Sequence, residues 1–304
     1  MNSVSSIIVL FRPDIQQVLD TIHKLSNSVN NIILVDNTPL EFIYYQSSFS
    51  NLNSVFHIIL GGNFGIASAQ NIGIDKAKTL NSSYCFFLDQ DSNVSSHIVP
   101  DLLRIYNILD ENKLKVGVLS CAFIDSRTNE RHRYSRLQKI RAKPVEVDDN
   151  QLFTEVDSTI SSGSLIRTKV FSEVGNMLEE LFIDCVDTEW CLRARMKGYS
   201  VYIANHIYMV HTIGAQVKKI SDTKYYYFHS AFRNYFILRN NLFLAMYSDF
   251  DFFVRFKFFL AYLNYIFILM KNESPFRKFL YLCYISTIDA ISRRMDSGRS
   301  KLFL

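Results

Sequence analysis

Cysteine is scarce and scattered in this chain of 304 residues, and its distribution excludes two kinds of structural cross-link. The five cysteines are odd in number and no pair has CxxC spacing; they are Cys85, Cys121, Cys185, Cys191 and Cys283. Neither a disulfide framework nor a zinc site of paired cysteines is therefore indicated. We expect Cys185 and Cys191 to pack in the core, and we expect the protein to act in the reducing cytoplasm.

The chain also has little net charge, no signal-peptide pattern and few long apolar runs. A formal net charge of +4 gives no reason to expect wholesale nucleic-acid binding. The N-terminal segment MNSVSSIIVLFRPD lacks a basic region and a long apolar region, so it is interpreted as a first strand. The apolar run at 258–270 has 13 residues, whereas a helix that spans a bilayer needs about 20.

Aromatic residues are abundant, with 25 Phe and 17 Tyr, and they gather after residue 224. We therefore predict two regions, a first domain over residues 1–223 and a helical region over residues 224–304. The apolar run at 258–270 lies between Arg255, Lys257 and Lys271. Short apolar helices edged by basic residues are typical of the membrane interface, and oligomer contacts or core packing are the alternative.

Apolar runs alternate with stretches of helical periodicity over the first 125 residues, which predicts a mostly parallel α/β sheet flanked by helices. Strands are predicted at 4–11, 31–39, 57–62, 83–91 and 116–125, and helices at 15–25, 66–79 and 98–111. Residues 125–158 are polar, basic and irregular, and are interpreted as a loop over the site. A further helix is predicted to begin near Asp187, and residues 225–247 are interpreted as helical.

Polar side chains stand where the predicted strands end. Asp36, Asn63, Asp89 and Asp91 all fall at the carboxyl ends of strands, which is where open α/β sheets bind ligands. The glycine-rich stretch GGNFGIASAQNIG matches neither GxGxxG nor GxxxxGK[ST], so a Rossmann dinucleotide site and a P-loop are not indicated.

The sequence Asp89-Gln90-Asp91 has three interpretations. Two carboxylates around a turn are suited to holding Mg²⁺ or Mn²⁺ against a diphosphate. They are also common turn formers. A phosphatase nucleophile of the DxDx[TV] type is disfavoured, because the fifth position is Asn93 and the motif follows the fourth strand.

A second acidic group precedes a predicted helix in FIDCVDTEWCLRARMKGY, residues 182–199. Asp187 is interpreted either as a carboxylate that the helix dipole stabilises or as a general base. A lone histidine such as His211 is normally structural.

Seven segments follow one another along the chain: VDN, GGNFGIASAQNIG, FFLDQDS, SSGSLI, FIDCVDTEWCLRARMKGY, HTIGA and FRNYFILRN. In this order they resemble the family 2 glycosyltransferases with the GT-A fold, and within them the rhamnosyltransferases of bacterial polysaccharide and O-antigen assembly. The resemblance covers roughly residues 4–240 and implies that residues 1–223 form the domain for nucleotide-sugar binding and catalysis. It assigns Glu189 to helix packing or acceptor contacts.

The resemblance implies a role for each matching residue. On the nucleotide side it assigns Asp36 to the base or ribose, with Asn63 and Gly65 nearby, and Arg233 to the leaving diphosphate. Asp91 is implied as the direct metal ligand, Asp89 as a residue nearer the ribose, and His211 as a further metal contact. Asp187 takes the place of the catalytic aspartate, although Val186 stands where many relatives have glutamate.

The implied function is inverting transfer of a sugar to a hydroxyl of a saccharide acceptor that is lipid-linked, with dTDP-L-rhamnose as the donor and Mg²⁺ or Mn²⁺ as cofactor. The protein would then act in cell-surface polysaccharide synthesis, in the cytoplasm or at the inner face of the cell membrane, as a monomer or a homo-oligomer. A non-catalytic protein that binds nucleotide sugars within the same assembly machinery is the alternative.

Overall fold

A computed structural model describes most of the chain. The described residues are 3–50, 52–128, 130–138, 141–211, 216–221, 224–272 and 276–303. Within them, only the backbone and not the side chain is described at 137–138, 141–142, 211, 216–221, 224–228 and 272. They divide into two compact units, the first made of residues 1–177 and 187–212 and the second of residues 178–186 and 213–304.

The first unit contains the predicted sheet. Its strands are β1 (Val4–Leu10), β2 (Asn31–Pro39), β3 (Val55–Gly61), β4 (Tyr84–Asp89), β5 (Val116–Asp125), β6 (Tyr134–Gln138), β7 (Arg141–Val145), β8 (Phe153–Val156), β9 (Ser164–Arg167) and β10 (Ser200–His211). Its helices are α1 (Ile15–Leu25), α2 (Ile66–Thr79), α3 (Ile98–Glu111), α4 (Thr168–Val174) and α5 (Val186–Met196), with 3₁₀ turns at Leu40–Phe42 and Gln46–Ser48.

Within the described residues, eight of these ten strands form one sheet in the order β3-β2-β1-β4-β9-β5-β10-β8, and β6 and β7 form a separate pair. Strands β1 to β4 pair in parallel, and so do β5 and β10. Strands β8 and β9 run antiparallel to their neighbours. The prediction of a mostly parallel α/β sheet flanked by helices is confirmed.

Local chemistry explains why the helices begin and pack where they do. The Asp14 carboxylate accepts a hydrogen bond from the backbone N–H of Gln17 and caps α1. Helix α2 packs so closely on the sheet that a Cβ atom at Gly73 would collide with the side chain of Ile7 in β1. The strands β1, β2 and β4 are buried on both faces, as their continuous apolar sequences predict.

The basic segment 125–158 is more regular than the irregular loop that the sequence predicts. Strands β6 and β7 pair as an antiparallel hairpin, and β8 joins the edge of the large sheet beside β10. Several arginines here form ion pairs with acidic residues, including Arg131 with Asp149 and Arg136 with Glu155. Paired charges of this kind make polar strands compatible with regular structure, and a hydropathy pattern does not reveal them.

In its described residues, the second unit contains a short antiparallel strand pair and three helices. Its elements are β11 (Gln216–Ser221), β12 (Lys224–Phe228), α6 (Ala231–Tyr247), α7 (Phe252–Asn272), α8 (Phe276–Ile291) and 3₁₀ turns at Glu179–Leu181 and Ser300–Phe303. The prediction of a helix over 225–247 is wrong in its first part, since α6 begins after Ser230. The Ser230 side chain caps α6 by accepting a hydrogen bond from the Arg233 N–H. The preceding tyrosines have high β propensity.

The predicted domain boundary between residues 223 and 224 differs from this division. Strand β11 and the segment 178–186 belong to the second unit. The segment is held there by Asn240 of α6, whose amide donates to the carbonyls of Leu181, Ile183 and Asp184 at 2.8–2.9 Å. Such contacts between distant parts of the sequence leave no signal in composition.

Helix α7 is longer than the apolar run of 13 residues predicts. It has 21 residues, about 31 Å at the rise of an α-helix, because Arg255 and Lys257 lie inside it and do not end it. In the part of the chain that the structure describes, the stretch Phe252–Lys271 is long and apolar enough to cross a membrane by length and composition. The expectation that this helix is too short to span is therefore wrong.

Candidate active site

The turn that contains Asp89 and Asp91 is held from two sides. Asp89 is the last residue of β4, and its backbone N–H donates to the Ser162 hydroxyl at 3.0 Å. The Gln90 side chain bonds to both backbone groups of Phe11, accepting from its N–H at 2.7 Å and donating to its carbonyl at 3.2 Å. The end of β4 is thus tied to the end of β1, and Asp91 is left exposed on the turn.

The loop before β9 connects this turn to Asp187. The Ser162 hydroxyl lies 2.7 Å from the Ser92 hydroxyl as well as 3.0 Å from the Asp89 nitrogen. Its neighbour Ser161 donates its backbone N–H to Oδ2 of Asp187 at 3.0 Å. Two adjacent residues therefore contact the two acidic motifs, which are far apart in the sequence.

The backbone of this loop is itself closely supported. The buried side chain of Gln70 in α2 donates to the Ser161 hydroxyl at 2.9 Å. Gly163 has a φ of +81°, and a Cβ atom there would collide with the sulfur of Cys121, so glycine is required at this turn. The loop that positions Asp187 is therefore constrained by both a helix and the sheet.

Asp187 and Glu189 differ sharply in their surroundings. Asp187 is half-buried in the first turn of α5, where the helix dipole favours a carboxylate. Glu189 is buried and makes two hydrogen bonds to Arg193, at 2.7 and 2.9 Å. The Arg193 guanidinium also donates to the carbonyls of Val174 and Asn176 at 2.8 Å. Of its two predicted roles, Glu189 therefore has the one in helix packing.

Asp36 is completely buried at the end of β2. Its carboxylate accepts hydrogen bonds from Tyr45 at 2.9 Å and from the Thr38 N–H at 3.0 Å, and it lies 3.0 Å from His57 Nε2. Burial alone would raise the pKa of Asp36, but the hydrogen bonds with His57, Thr38 and Tyr45 hold that pKa below its ordinary value. The predicted contact of Asp36 with a nucleotide would require these bonds to rearrange, and it stays a prediction.

Asn37 connects the end of β2 to the start of α2. Its amide donates to the carbonyl of Gly65 at 2.8 Å and accepts from the Phe64 N–H at 2.9 Å. Asn63 is exposed and accepts from the Gly65 N–H at 3.1 Å. Gly65, with a φ of +88°, is the residue that precedes α2. Asn63 and Gly65 thus form one turn beside the end of β2.

His211 is the last residue of β10, and its side chain lies outside the described residues. Its neighbour Val210 forms a backbone bridge with Asn93, two residues beyond Asp91. The backbone at the end of β10 therefore adjoins the acidic turn. The role of His211 as a metal ligand stays a prediction.

Arg233 belongs to the second unit and interacts there with Asp184. Its guanidinium makes three hydrogen bonds to that carboxylate at 2.9–3.0 Å. Phe182, Asp184 and Cys185 all have φ values of 63°, which non-glycine residues rarely adopt. Arg233 therefore helps to hold a strained segment that leads directly into α5. Its contact with a diphosphate stays a prediction.

Comparison with known proteins identifies the family. The sequence model of the family described as Glycosyl transferase family 2 matches residues 6–175, more than half of the chain. The chain belongs to glycosyl transferase family 2. It is therefore a glycosyltransferase, and the resemblance seen in its motifs is confirmed.

Two other proteins are similar in sequence to this glycosyltransferase. A Shigella flexneri protein named dTDP-rhamnosyl transferase RfbF is 33% identical over 243 residues, which cover 79% of each chain. The low-salt glycan biosynthesis hexosyltransferase Agl10 of Haloferax volcanii is 20% identical over 244 residues, 80% of this chain and 77% of that protein.

Solved structures show that the fold is that of the GT-A glycosyltransferases. The S. aureus TarS fragment 1–349 in complex with UDP-GlcNAc has a TM-score of 0.57 at 12% identity, covering 99% of this chain and 84% of that one. GalNAc-T7 with UDP, GalNAc and Mn²⁺ also has a TM-score of 0.57, at 15% identity, covering 90% of this chain and 58% of that one.

The donor atoms in this glycosyltransferase fit a metal that binds together with a diphosphate. Among the residues that the structure describes, no three His, Cys, Asp or Glu side chains converge as a metal cage. The pair Asp89 and Asp91 offers carboxylate oxygens only. Magnesium is commonly held in this way, by one or two carboxylates together with substrate phosphates and water.

The sequence offers the acidic residues as candidates, and the structure adds the residues that hold them. Backbone groups of other segments bond to the side chains of Ser162, Gln90 and Asn37, and Ser161 donates its own backbone N–H to the Asp187 carboxylate. The one available signal was the pair of serines before Gly163, since a glycine after polar residues indicates a tight turn.

Proposed function

We propose that the protein transfers L-rhamnose from dTDP-L-rhamnose to a hydroxyl of a saccharide acceptor, with inversion at the anomeric carbon. The donor is inferred from the relative named dTDP-rhamnosyl transferase, at 33% identity over 79% of the chain. The observation that carries the proposal is the Ser161–Ser162 pair, which contacts Asp187 on one side and the Asp89 backbone on the other. In this proposal one loop holds both the base and the turn that receives the diphosphate.

Asp187 is the general base in this mechanism. The acceptor oxygen attacks the anomeric carbon and forms the new glycosidic bond while its proton passes to Asp187. At the same time the bond from that carbon to the diphosphate oxygen breaks, and dTDP leaves with the electron pair. Attack opposite the leaving group inverts the configuration in one displacement, and general-base assistance typically contributes about 10²- to 10⁴-fold.

The turn at Asp89 and Asp91 receives the diphosphate side of the donor. When Mg²⁺ or Mn²⁺ is bound there, it neutralises negative charge on the departing diphosphate. Asp91 and Asp89 would hold the ion, together with His211 at the end of β10. Asp36, Asn63 and Gly65 would lie beside the nucleoside, and Arg233 would approach the diphosphate.

The acceptor in this proposal is a lipid-linked saccharide at the inner face of the cell membrane, used in building a cell-surface polysaccharide. Support comes from the relatives, of which one is named for glycan biosynthesis. Residues 1–223 would supply donor binding and catalysis, and residues 224–304 would supply membrane or oligomer contacts.

A panel of nucleotide sugars tests the donor directly. Ligands that bind only the folded state raise the melting temperature in a concentration-dependent manner, so dTDP-L-rhamnose with Mn²⁺ should give the largest shift. Addition of a rhamnose-accepting saccharide should then release dTDP and yield a product of inverted anomeric configuration. A donor that binds and is never turned over with any acceptor would favour the non-catalytic scaffold instead.

A further inference from the structure

The last two long helices expose large apolar side chains to solvent. On α7 the exposed stripe is formed by Phe256, Phe259, Leu263 and Phe267, each between 38% and 50% exposed. On α8 the corresponding side chains are Leu280 and Tyr284, at 50% and 62%. These six residues are called the apolar stripes here. Exposure of this extent on consecutive helices is typical of a surface that binds protein or membrane.

The opposite face of α7 is fully used inside its own unit. Phe258, Tyr262 and Leu269 are buried, and the last two belong to the core cluster of the second unit. The Tyr262 hydroxyl lies 2.7 Å from the Thr287 hydroxyl of α8, and Tyr265 donates to Asn234 of α6 at 2.6 Å. Helix α7 is therefore apolar on two opposite faces, and within the described residues only one of them is covered.

The charges on α7 and α8 favour anionic lipid over a second copy of the chain as the partner of the apolar stripes. Helices α7 and α8 carry the basic residues Arg255, Lys257, Lys271, Arg277 and Lys278. Their one acidic residue, Asp289, is buried and bonds to Arg299 and Tyr235. A second copy of the chain docked on the same face would bring like charges together. Anionic lipid head groups would instead neutralise them while acyl chains cover the apolar stripes.

The polar interior of the unit argues against α7 as a lipid-surrounded spanning helix. Helix α6, which packs against α7, buries Arg239 and Asn240 at 0% exposure, both bonded to carbonyls of the 180–184 segment. Arg255 near the start of α7 donates to the carbonyls of Ala245 and Met246. These groups are costly in hydrocarbon, whereas a helix lying in the interface immerses one face only.

We propose that the apolar stripes of α7 and α8 bind the surface of an anionic bilayer, with α7 lying in the membrane plane. This inference rests on the second unit alone and holds whichever sugar the enzyme transfers. It gives the enzyme an attachment site of its own, separate from any lipid carried by its acceptor.

Vesicle flotation of the full chain tests the proposal. One set of vesicles contains phosphatidylcholine alone, and the other contains phosphatidylcholine with phosphatidylglycerol. The test variant is Phe256→Gln/Phe267→Gln, at side chains 45% and 50% exposed, and the matched control is Leu152→Gln/Met196→Gln in the first unit, at 47% and 56%. Circular dichroism and the donor-induced melting shift check that both variants fold and bind donor.

The wild type and the control should float with the phosphatidylglycerol vesicles and bind much less to phosphatidylcholine. The test variant should lose about tenfold or more in partitioning, because two aromatic side chains no longer leave water. Equal flotation of the test and control variants would overturn the proposal, as would a wild type that binds neither vesicle. A wild-type dimer that the test variant converts to monomer would assign the stripes to a second copy. Bound protein that resists alkaline carbonate would refute the in-plane orientation.

Discussion

The backbone N–H of Ser161 donates to Oδ2 of Asp187 at 3.0 Å, so the side chain assigned as the base is oriented by a main-chain group. The next residue along the chain, Ser162, accepts a hydrogen bond from the backbone of Asp89. A shift of this loop by a fraction of an ångström would move both halves of the site together. The site is therefore best tested by changes that separate its two halves.

Ser162→Ala should weaken the acidic turn without touching Asp187. The change leaves the Asp89 N–H without its acceptor and removes the contact with the Ser92 hydroxyl, so we expect a loss of about 1–3 kcal/mol in the free energy of unfolding. We also expect a higher metal concentration for half-maximal activity. Urea denaturation and a Mn²⁺ titration of activity measure the two effects.

Ser164→Ala is the matched control for this experiment. Ser164, the first residue of β9, is buried like Ser162, and its hydroxyl donates to the carbonyl of Ile160 at 2.7 Å. It should lower stability and leave the metal requirement unchanged. If both serine variants shift the metal requirement equally, the specific role of Ser162 is wrong.

Removal of the metal should abolish transfer, because the carboxylates of Asp89 and Asp91 are proposed to hold it. Asp91→Ala is expected to lower turnover by at least about 10²-fold, comparable to losing one electrostatic contact to the leaving group. The exposed Asp75, which pairs with Lys78 on α2, provides a control as Asp75→Ala. Full activity of the wild type in a chelator would contradict the assignment of Asp91.

Asp36 should make stability depend on pH in the acid range. Its pKa is lowered in the folded protein, so the ionised carboxylate contributes stability that is complete above the unfolded pKa near 3.9. That contribution is lost as the pH falls through the folded pKa. The difference in unfolding free energy between the wild type and Asp36→Asn should therefore stay constant at neutral pH and shrink as the pH falls below about 4.

Chemical denaturation at several pH values measures this difference, and a constant difference would contradict the assigned pKa direction. The same variant also tests the nucleotide contact. If Asp36 reaches the ribose, the KM for donor rises at neutral pH. If it serves only His57, Thr38 and Tyr45, stability alone changes.

Arg233 and Asp184 can be separated by paired variants. If Arg233 neutralises the diphosphate as well as bonding Asp184, then Arg233→Gln should raise the KM for donor about tenfold, the equivalent of one charged hydrogen bond. Asp184→Asn keeps the cation and should change the KM much less. Equal effects from both variants in steady-state kinetics would assign Arg233 to holding the 182–185 segment and reject the contact.

Strands β1, β2, β4 and β5 were predictable from sequence because they are buried on both faces and leave continuous apolar runs. Helices α1, α2 and α3 begin and end at the predicted residues, and at α1 the Asp14 cap agrees with the apolar periodicity. The hairpin of β6 and β7 was not predictable, because its polar strands are stabilised by ion pairs with segments distant in sequence.

The sequence offers candidates for the chemistry of the site and none for its support. Acidic residues at strand ends indicate where ligands bind, so Asp89 and Asp91 are candidates from position alone. The link from Ser161 to Asp187 depends on a backbone N–H, which every residue but proline carries. The residue type at position 161 therefore does not indicate this link.

The length of α7 was underestimated for a related reason. Arg255 donates to main-chain carbonyls inside its unit and does not end the helix.

The most direct test compares turnover and donor binding in Asp187→Asn. The asparagine side-chain oxygen can still accept the Ser161 N–H, so the fold and the donor-induced melting shift should be those of the wild type. Release of dTDP in the presence of acceptor should fall by about 10²- to 10⁴-fold, because the acceptor proton has no base to receive it. A variant that binds donor normally and turns over at a near wild-type rate would contradict the account.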